Sequence, residues 1–364
     1  MGVFANYLRK LDWGIIVSSL VLAAFGLAGI WSACAAKGDY LNLKKQVIFF
    51  AIGVLFMFLF GLFDYRIFKN NSYLILVLYG ICLALLLGLQ FFAPVIRGTK
   101  GWYKFGLLSL DPIEPAKIVL VILLAKYFSM RHVEMYKFRH IVFSGFYVFF
   151  PAFLVFIKPD LGGTMVLVLV WLAVLMISGI KINHFLIILL CFVLVAGFSW
   201  HFLLKDYQKE RIISFIFPYD VLGGSWSQAQ TKIAIGSGKI FGEGFLNGSQ
   251  VKYGFLPEPH TDFIFSVIAE EWGLIGVLVF FFAYGFLVWR ILKIAIHSES
   301  NFPRLFATGF AVILIVQFFI NIGMNLSLLP VVGIYLPFAS YGGSGLIFNF
   351  IGLGILQSIK SRNV

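Results

Sequence analysis

Charged residues are what this chain has least of. Asp, Glu, Lys and Arg make up 12% of 364 residues, against roughly 25% in a soluble domain. With 61% hydrophobic residues and a mean hydropathy of +0.96, the composition excludes a large water-soluble core. Cysteine is scarce too. Three residues, Cys34, Cys82 and Cys191, permit neither a disulfide framework nor a zinc-binding spacing. No H-E-x-x-H or G-x-S-x-G motif occurs, which argues against a membrane metalloprotease or a serine hydrolase. No internal repeat is visible, a point against an inverted-repeat transporter. The net charge of +12 is scattered over short loops, so no contiguous basic face suits nucleic acid. An anionic membrane surface or substrate is the better partner.

What is present is a series of apolar runs of membrane-crossing length. They fall at about 13–33, 46–63, 72–93, 112–129, 141–157, 162–180, 183–204, 263–289, 305–328 and 338–358. The first follows Arg9 and Lys10, is too long for a signal-peptide core, and is expected to stay as a helix. The expectation is an all-α polytopic membrane protein with ten transmembrane helices. Placing both termini inside puts fourteen Lys and Arg on the cytoplasmic side, against seven in the short outside loops. Six more lie in one long loop, which translocates largely regardless of charge. The chain reads as one membrane domain, 1–364, with a long extracytoplasmic loop at about 205–262 between helices 7 and 8.

That loop is the polar exception, and long loops are usually functional or disordered. Tyr207–Arg211 begins an amphipathic segment, with Ile212, Phe215 and Ile216 available for the interface. A second short helix is expected at Gln228–Ile235. Gly236–Gly244 forms a turn-rich ribbon in which Lys239 and backbone amides offer a weak diphosphate cradle. The loop ends in His260-Thr261-Asp262 at the mouth of the eighth run. Thr261 or Asp262 either caps that helix or presents a carboxylate for chemistry. Glu270 and Glu271 follow, and adjacent acids on a helix cannot face the same way.

Elsewhere, Glu114 and Lys117 share a helix face inside the fourth run, either as a structural ion pair or as the polar lining of a cavity. Asp160 beside Lys158 is either a solvated turn or a substrate-facing carboxylate. Trp102 is either an interfacial aromatic or a sugar-stacking platform. Asn321 and Asn325, four apart, are expected on one face.

The motifs resemble, end to end, those of the SEDS family (shape, elongation, division and sporulation), the RodA type more than the FtsW type. The resemblance is carried by Leu11-Asp12-Trp13, Gly101-Trp102, Pro112-Ile113-Glu114-Pro115-Ala116-Lys117 and Lys158-Pro159-Asp160-Leu161-Gly162. It continues in Gly236-Ser237-Gly238, Leu256-Pro257-Glu258, His260-Thr261-Asp262-Phe263-Ile264-Phe265, Glu270-Glu271 and Ser340-Tyr341-Gly342-Gly343-Ser344. Asp111, Ile113, Lys239 and Gly345 depart from the pattern. The resemblance implies a peptidoglycan glycosyltransferase of the bacterial cytoplasmic membrane, working on the outer face. It would polymerise lipid II onto lipid-linked nascent glycan during cell elongation, beside a class B penicillin-binding protein and the elongation machinery.

Matching positions make Asp262 catalytic, Glu114 and Lys117 the cavity ion pair, and Trp102 and Asp160 functional. The chemistry adds Arg211, Lys239, Lys158 and Arg97 as cations for a diphosphate, with His260 and Thr261 beside the base. A divalent cation, Mg2+ or Mn2+, is a candidate to share that work, and the sequence assigns it no ligands. The rival reading is a lipid II flippase, which would also use an intramembrane ion pair and basic outside loops.

Overall fold

The computed structural model describes residues 9–94, 101–106, 108–131, 138–217 and 226–362. The first half holds helices α1 (Trp13–Lys37), α2 (Leu41–Leu62), a short α3 (Arg66–Asn70) and α4 (Ser72–Phe92). A small antiparallel hairpin follows, β1 (Tyr103–Phe105) and β2 (Leu108–Leu110), which the apolar-run count did not foresee. Then come α5 (Ile113–Arg131), α6 (Phe138–Ile157), α7 (Leu161–Ile177) and α8 (Ile182–Phe202). The long loop carries α9 (Asp206–Ile216), α10 (Trp226–Ser237) and α11 (Ser249–Lys252). The chain closes with α12 (Ile264–Ile296), α13 (Asn301–Asn325) and α14 (Gly343–Arg362).

Each of the ten apolar runs coincides with a helix. Seven of them, α1, α2, α4, α6, α8, α12 and α13, are long and apolar enough to cross a bilayer. Helix α7 is shorter at 17 residues, and α5 carries Glu114, Lys117 and Lys126. The protein is an integral membrane protein of nearly pure helix. The last run starts later than its hydropathy suggested, at Gly343 rather than 338, because residues 336–340 close a turn. Within it the Ser340 amide donates to Leu336 O and the Leu336 amide to Ser340 Oγ.

The core lies along α12, α13, α14, α5 and α1, where large side chains such as Phe128, Phe280, Phe306, Phe310 and Phe350 are fully buried. At one end of the bundle Asp12 caps α1 through the Ile15 amide and accepts two hydrogen bonds from Arg290 of α12, at 2.9 and 2.6 Å. Gln357 of α14 pairs with the Asp12 backbone. The start of α1 and the end of α14 therefore meet at the same end. Asp262, at the other end of α12 from Arg290, meets Asn321 and Asn325 in the last turns of α13, away from the short α12–α13 connection. Asp262 thus stands at the far end from both helix termini.

Candidate active site

The backbone of His260-Thr261-Asp262 is held at three successive carbonyls. His260 O accepts from the Tyr341 amide at 2.7 Å. Thr261 O accepts from Ser340 Oγ at 2.6 Å. Asp262 O accepts from the side-chain amides of Asn321 and Asn325, both at 3.0 Å. The two asparagines do share a face, and Asn325 Nδ2 also donates to Asn321 Oδ1. Asn325 Oδ1 in turn accepts from the Ser266 amide and hydroxyl. A first-turn amide of α12 is thereby served from a neighbouring helix. The N-cap residue is Phe263, just past the Thr261 and Asp262 that the sequence offered, and its own side chain makes no capping hydrogen bond. The Asp262 carboxylate is half-buried, and a Cβ at Gly333 would lie 3.8 Å from its Oδ2.

That contact points to a segment the sequence reading passed over, Val331-Val332-Gly333-Ile334-Tyr335, between α13 and α14. Asp262, Arg211, Glu114 and Lys117 of the expected site residues converge on it, with Asp160 close by. Arg211 of α9 donates to Val331 O at 3.4 Å. Asn321 donates to Ile334 O at 2.7 Å. The start of α7, just past Asp160, packs so tightly here that a methyl group at Gly162 would strike Ile334 and Val332 O. Tyr335 reaches the ion pair of α5. Lys117 Nζ lies 2.8 Å from Glu114 Oε2, Tyr335 donates to the same oxygen at 2.5 Å, and Lys117 donates to the Tyr335 hydroxyl at 3.3 Å. Glu114 and Lys117 are only 5% and 4% exposed. An apolar linker with a glycine at φ +73 was the available signal, and it carries no chemistry of its own.

A groove of about 480 Å³ opens beside this segment. Its walls come from α6 and α7 (Phe156, Met165), α8 (Ala196, Trp200), α9 (Ile212, Phe215) and Val331 and Val332, with Arg211 among the lining residues. The interfacial face expected of α9 is thus turned partly into the groove.

Lys158 sits 3.0 Å from Asp111 and 3.5 Å from Asp160 and is 6% exposed. Asp160 also caps α7 through the Gly163 amide at 2.7 Å. Desolvation would lower the Lys158 pKa, yet the Asp111 and Asp160 carboxylates outweigh it and hold it raised. The charge that suggested a diphosphate contact is thus already balanced by two carboxylates. Asp111 is pushed up to about 6, chiefly by burial and further by Glu114 and Asp160, against the pull of Lys158. Because that value lies above the ordinary 3.8, the folded state holds this proton more tightly than the unfolded chain does. Stability from this group is gained as pH falls from about 6 towards 3.8, and lost as it rises again. The melting temperature of the native protein should therefore climb across that window relative to Asp111→Asn. Parallel curves for the two proteins would show that Asp111 does not titrate there.

Trp102 is 38% exposed at the hairpin. Its neighbour Gly101 approaches the Lys158 side chain, 3.8 Å from a built Cβ to Cε. His260 is buried, its ring edge-on to Tyr341, and Thr261 Oγ1 turns back to Glu258 O at 3.5 Å. Lys239 is not brought to this cluster. Its carbonyl accepts from Leu274, twelve residues past Asp262 and more than two helical turns beyond it. The glycine ribbon around it is no open cradle either, because the amides of Gly242, Glu243 and Gly244 all donate to carbonyls. Arg97 lies outside the described residues. Among the described residues no three His, Cys, Asp or Glu side chains gather as a metal site.

The chain matches relatives along nearly its whole length. It is 37% identical over 356 residues to the peptidoglycan glycosyltransferase MrdB of Escherichia coli K12, covering 97% of this chain and 94% of that one. It is 33% identical over 357 residues to stage V sporulation protein E of Bacillus subtilis, covering 96% of each. Among solved structures, a chain of a peptidoglycan synthase complex that coordinates polymerization and crosslinking superimposes with a TM-score of 0.82. The two are 30% identical over 97% of this chain and 98% of that one. The rod shape-determining protein RodA of Thermus thermophilus gives a TM-score of 0.70 at 28% identity, over 96% of each chain. The profile of cell cycle proteins of the FtsW, RodA and SpoVE type matches residues 12–364, and the chain belongs to that family.

Proposed function

We propose that this protein is a peptidoglycan glycosyltransferase that joins lipid II units into glycan strands, with Asp262 as the general base. The observation that carries this reading is the clamp on residues 260–262. Three successive carbonyls are fixed from α13 and the α13–α14 segment, and Asn325 also accepts from the Ser266 amide in the first turn of α12. The backbone that carries the Asp262 carboxylate is thus fixed from outside its own helix. The homologous glycosyltransferase and the shared fold support the same assignment.

In the proposed reaction the acceptor 4-hydroxyl attacks the anomeric carbon as its proton passes to Asp262. The new glycosidic C–O bond forms while the bond to the lipid diphosphate breaks, with inversion. The diphosphate is already a good leaving group, so a second carboxylic acid of the glycosidase kind is not required. Arg211, on the groove rim, offsets the charge that develops on it, and the apolar groove takes a polyprenyl tail. Trp102 offers a stacking face for a sugar ring. A divalent cation would supply charge neutralisation at the diphosphate, but among the described residues no three His, Cys, Asp or Glu side chains gather to hold it. Ten crossings with both termini cytoplasmic would put Asp262 on the outer face of the bacterial cytoplasmic membrane. The expected partner is a class B penicillin-binding protein of the elongation machinery.

The test is to reconstitute the purified protein and partner in vesicles with fluorescent lipid II, following glycan length on gels and lipid II movement by quenching. Polymer is the expected product. Movement of lipid II between leaflets with no polymer would replace this reading by a flippase.

A further inference from the structure

Helix α12 is interrupted. At Gly273 the backbone turns to φ 62 and ψ −162, a region essentially reserved for glycine. In an unbroken helix the amides of Leu274 and Ile275 would donate four residues back, to Glu270 O and Glu271 O. Here the turn segment 239–244 of the long loop, not part of a sheet, enters the gap and satisfies all four groups. Leu274 donates to Lys239 O at 2.9 Å and Ile275 to Ile240 O at 3.2 Å. Glu243 donates to Glu270 O at 2.9 Å and Gly244 to Glu271 O at 3.1 Å. The approach is so close that a methyl group at Gly242 would clash with Glu271 O.

Side chains fasten the segment's return. Glu270 Oε1 accepts from the Gln250 amide at 2.6 Å and from Ser249 Oγ at 3.2 Å. Glu243 accepts from the Ser249 amide at 2.8 Å, and Glu271 accepts from Ser32 of α1. Glu270 and Glu271 are both buried. The adjacent acids do diverge, one to the loop and one to α1.

The inner part of α12 is anchored through Arg290 to Asp12, while the outer part begins at Ile264, two residues past Asp262. The break sets the angle between them. We propose that the break at Gly273, with segment 239–244 lodged in it and Glu270 as its latch, is a positioning device for glycosyl transfer. It aims the outer turns of α12 so that the Asp262 carboxylate faces Gly333, beside the groove wall of Val331 and Val332. This rests on Asp262 being the base.

The experiment compares Gly273→Ala, Glu270→Ala and Glu270→Gln with Gly285→Ala, a site on α12 with open space around it. Polymerisation by each protein with its partner gives kcat and KM, and hydrogen exchange reads the amides of residues 243, 244, 274 and 275. For Gly273→Ala we expect kcat to fall on the order of 10²-fold, the cost of a displacement near 1 Å. KM should stay within about twofold, with protection lost at the amides of 243 and 244, whose acceptor carbonyls a continuous helix takes back for 274 and 275. Glu270→Gln keeps an acceptor oxygen and should recover most of what Glu270→Ala loses, and Gly285→Ala should match the native protein. Should Gly273→Ala fail to reach the membrane, Gly242→Ala probes the segment with the helix sequence intact. Protection lost with kcat unchanged overturns the inference. So does a fall in kcat that tracks melting temperature across all variants, Gly285→Ala included. A fully active Asp262→Ala is a different failure and marks the base as misassigned.

Discussion

Asp262→Ala is expected to slow glycan polymerisation by ~10²–10⁴-fold, the usual worth of a general base, with little change in folding. The structural side of this expectation follows from the clamp. What Asn321 and Asn325 hold is the Asp262 carbonyl, which alanine keeps, and the first turn of α12 is served by Asn325. Asp262→Asn keeps the shape and removes the basicity, so it should be as inactive as alanine. Glutamate keeps basicity but moves the carboxylate outward by one methylene and should retain partial activity. The assay is fluorescent lipid II with purified protein and partner, with melting temperature recorded beside it. A protein with alanine at 262 that polymerises at the native rate would move the base elsewhere, and instability equal to the activity loss would reduce Asp262 to a structural role.

The second large effect is expected at the buried ion pair. Lys117→Met leaves Glu114 and the Tyr335 hydroxyl in an interior where both ionic partners are about 5% exposed. Removing one member of such a pair costs about 3–5 kcal/mol. Replacing both, Glu114→Met with Lys117→Met, removes the stranded charge and should return most of that stability. Polymerisation should stay low in the double variant, because Tyr335 belongs to the segment that faces Asp262 and would lose its tie to α5. Thermal unfolding in detergent together with the lipid II assay separates the two effects. If the double variant regains stability and activity alike, the pair is only a tie between helices. If it regains neither, the pair's geometry is needed for the fold itself.

The parts of the molecule legible in sequence were those with a local cause. Apolar runs near twenty residues declare helices, and the four-residue spacing of Asn321 and Asn325 declared a shared face. The end of the long loop announced itself through His260-Thr261-Asp262. What the sequence could not convey were partners brought together from far along the chain. Lys158 reads as a diphosphate ligand until Asp111, 47 residues upstream, is seen at 3.0 Å. Lys239 has the right charge, but its segment is spent filling the gap in α12. The glycines at 238, 242 and 244 gave an honest turn signal, while the acceptors of the nearby amides, Glu270 O and Glu271 O, lie on a helix whose own break depends on the same contact. Residues 331–335 were missed because β-branched and apolar side chains between two membrane helices carry no mark of being a meeting point.

Helix α8 has a consequence of its own. None of its residues is buried in the protein, yet Ala196, Ser199 and Trp200 form one bank of the groove beside Arg211. With so little protein packed against it, this helix is freer than its neighbours to change tilt with bilayer thickness. The width of the groove is thereby a property shared between the polypeptide and the lipids around it.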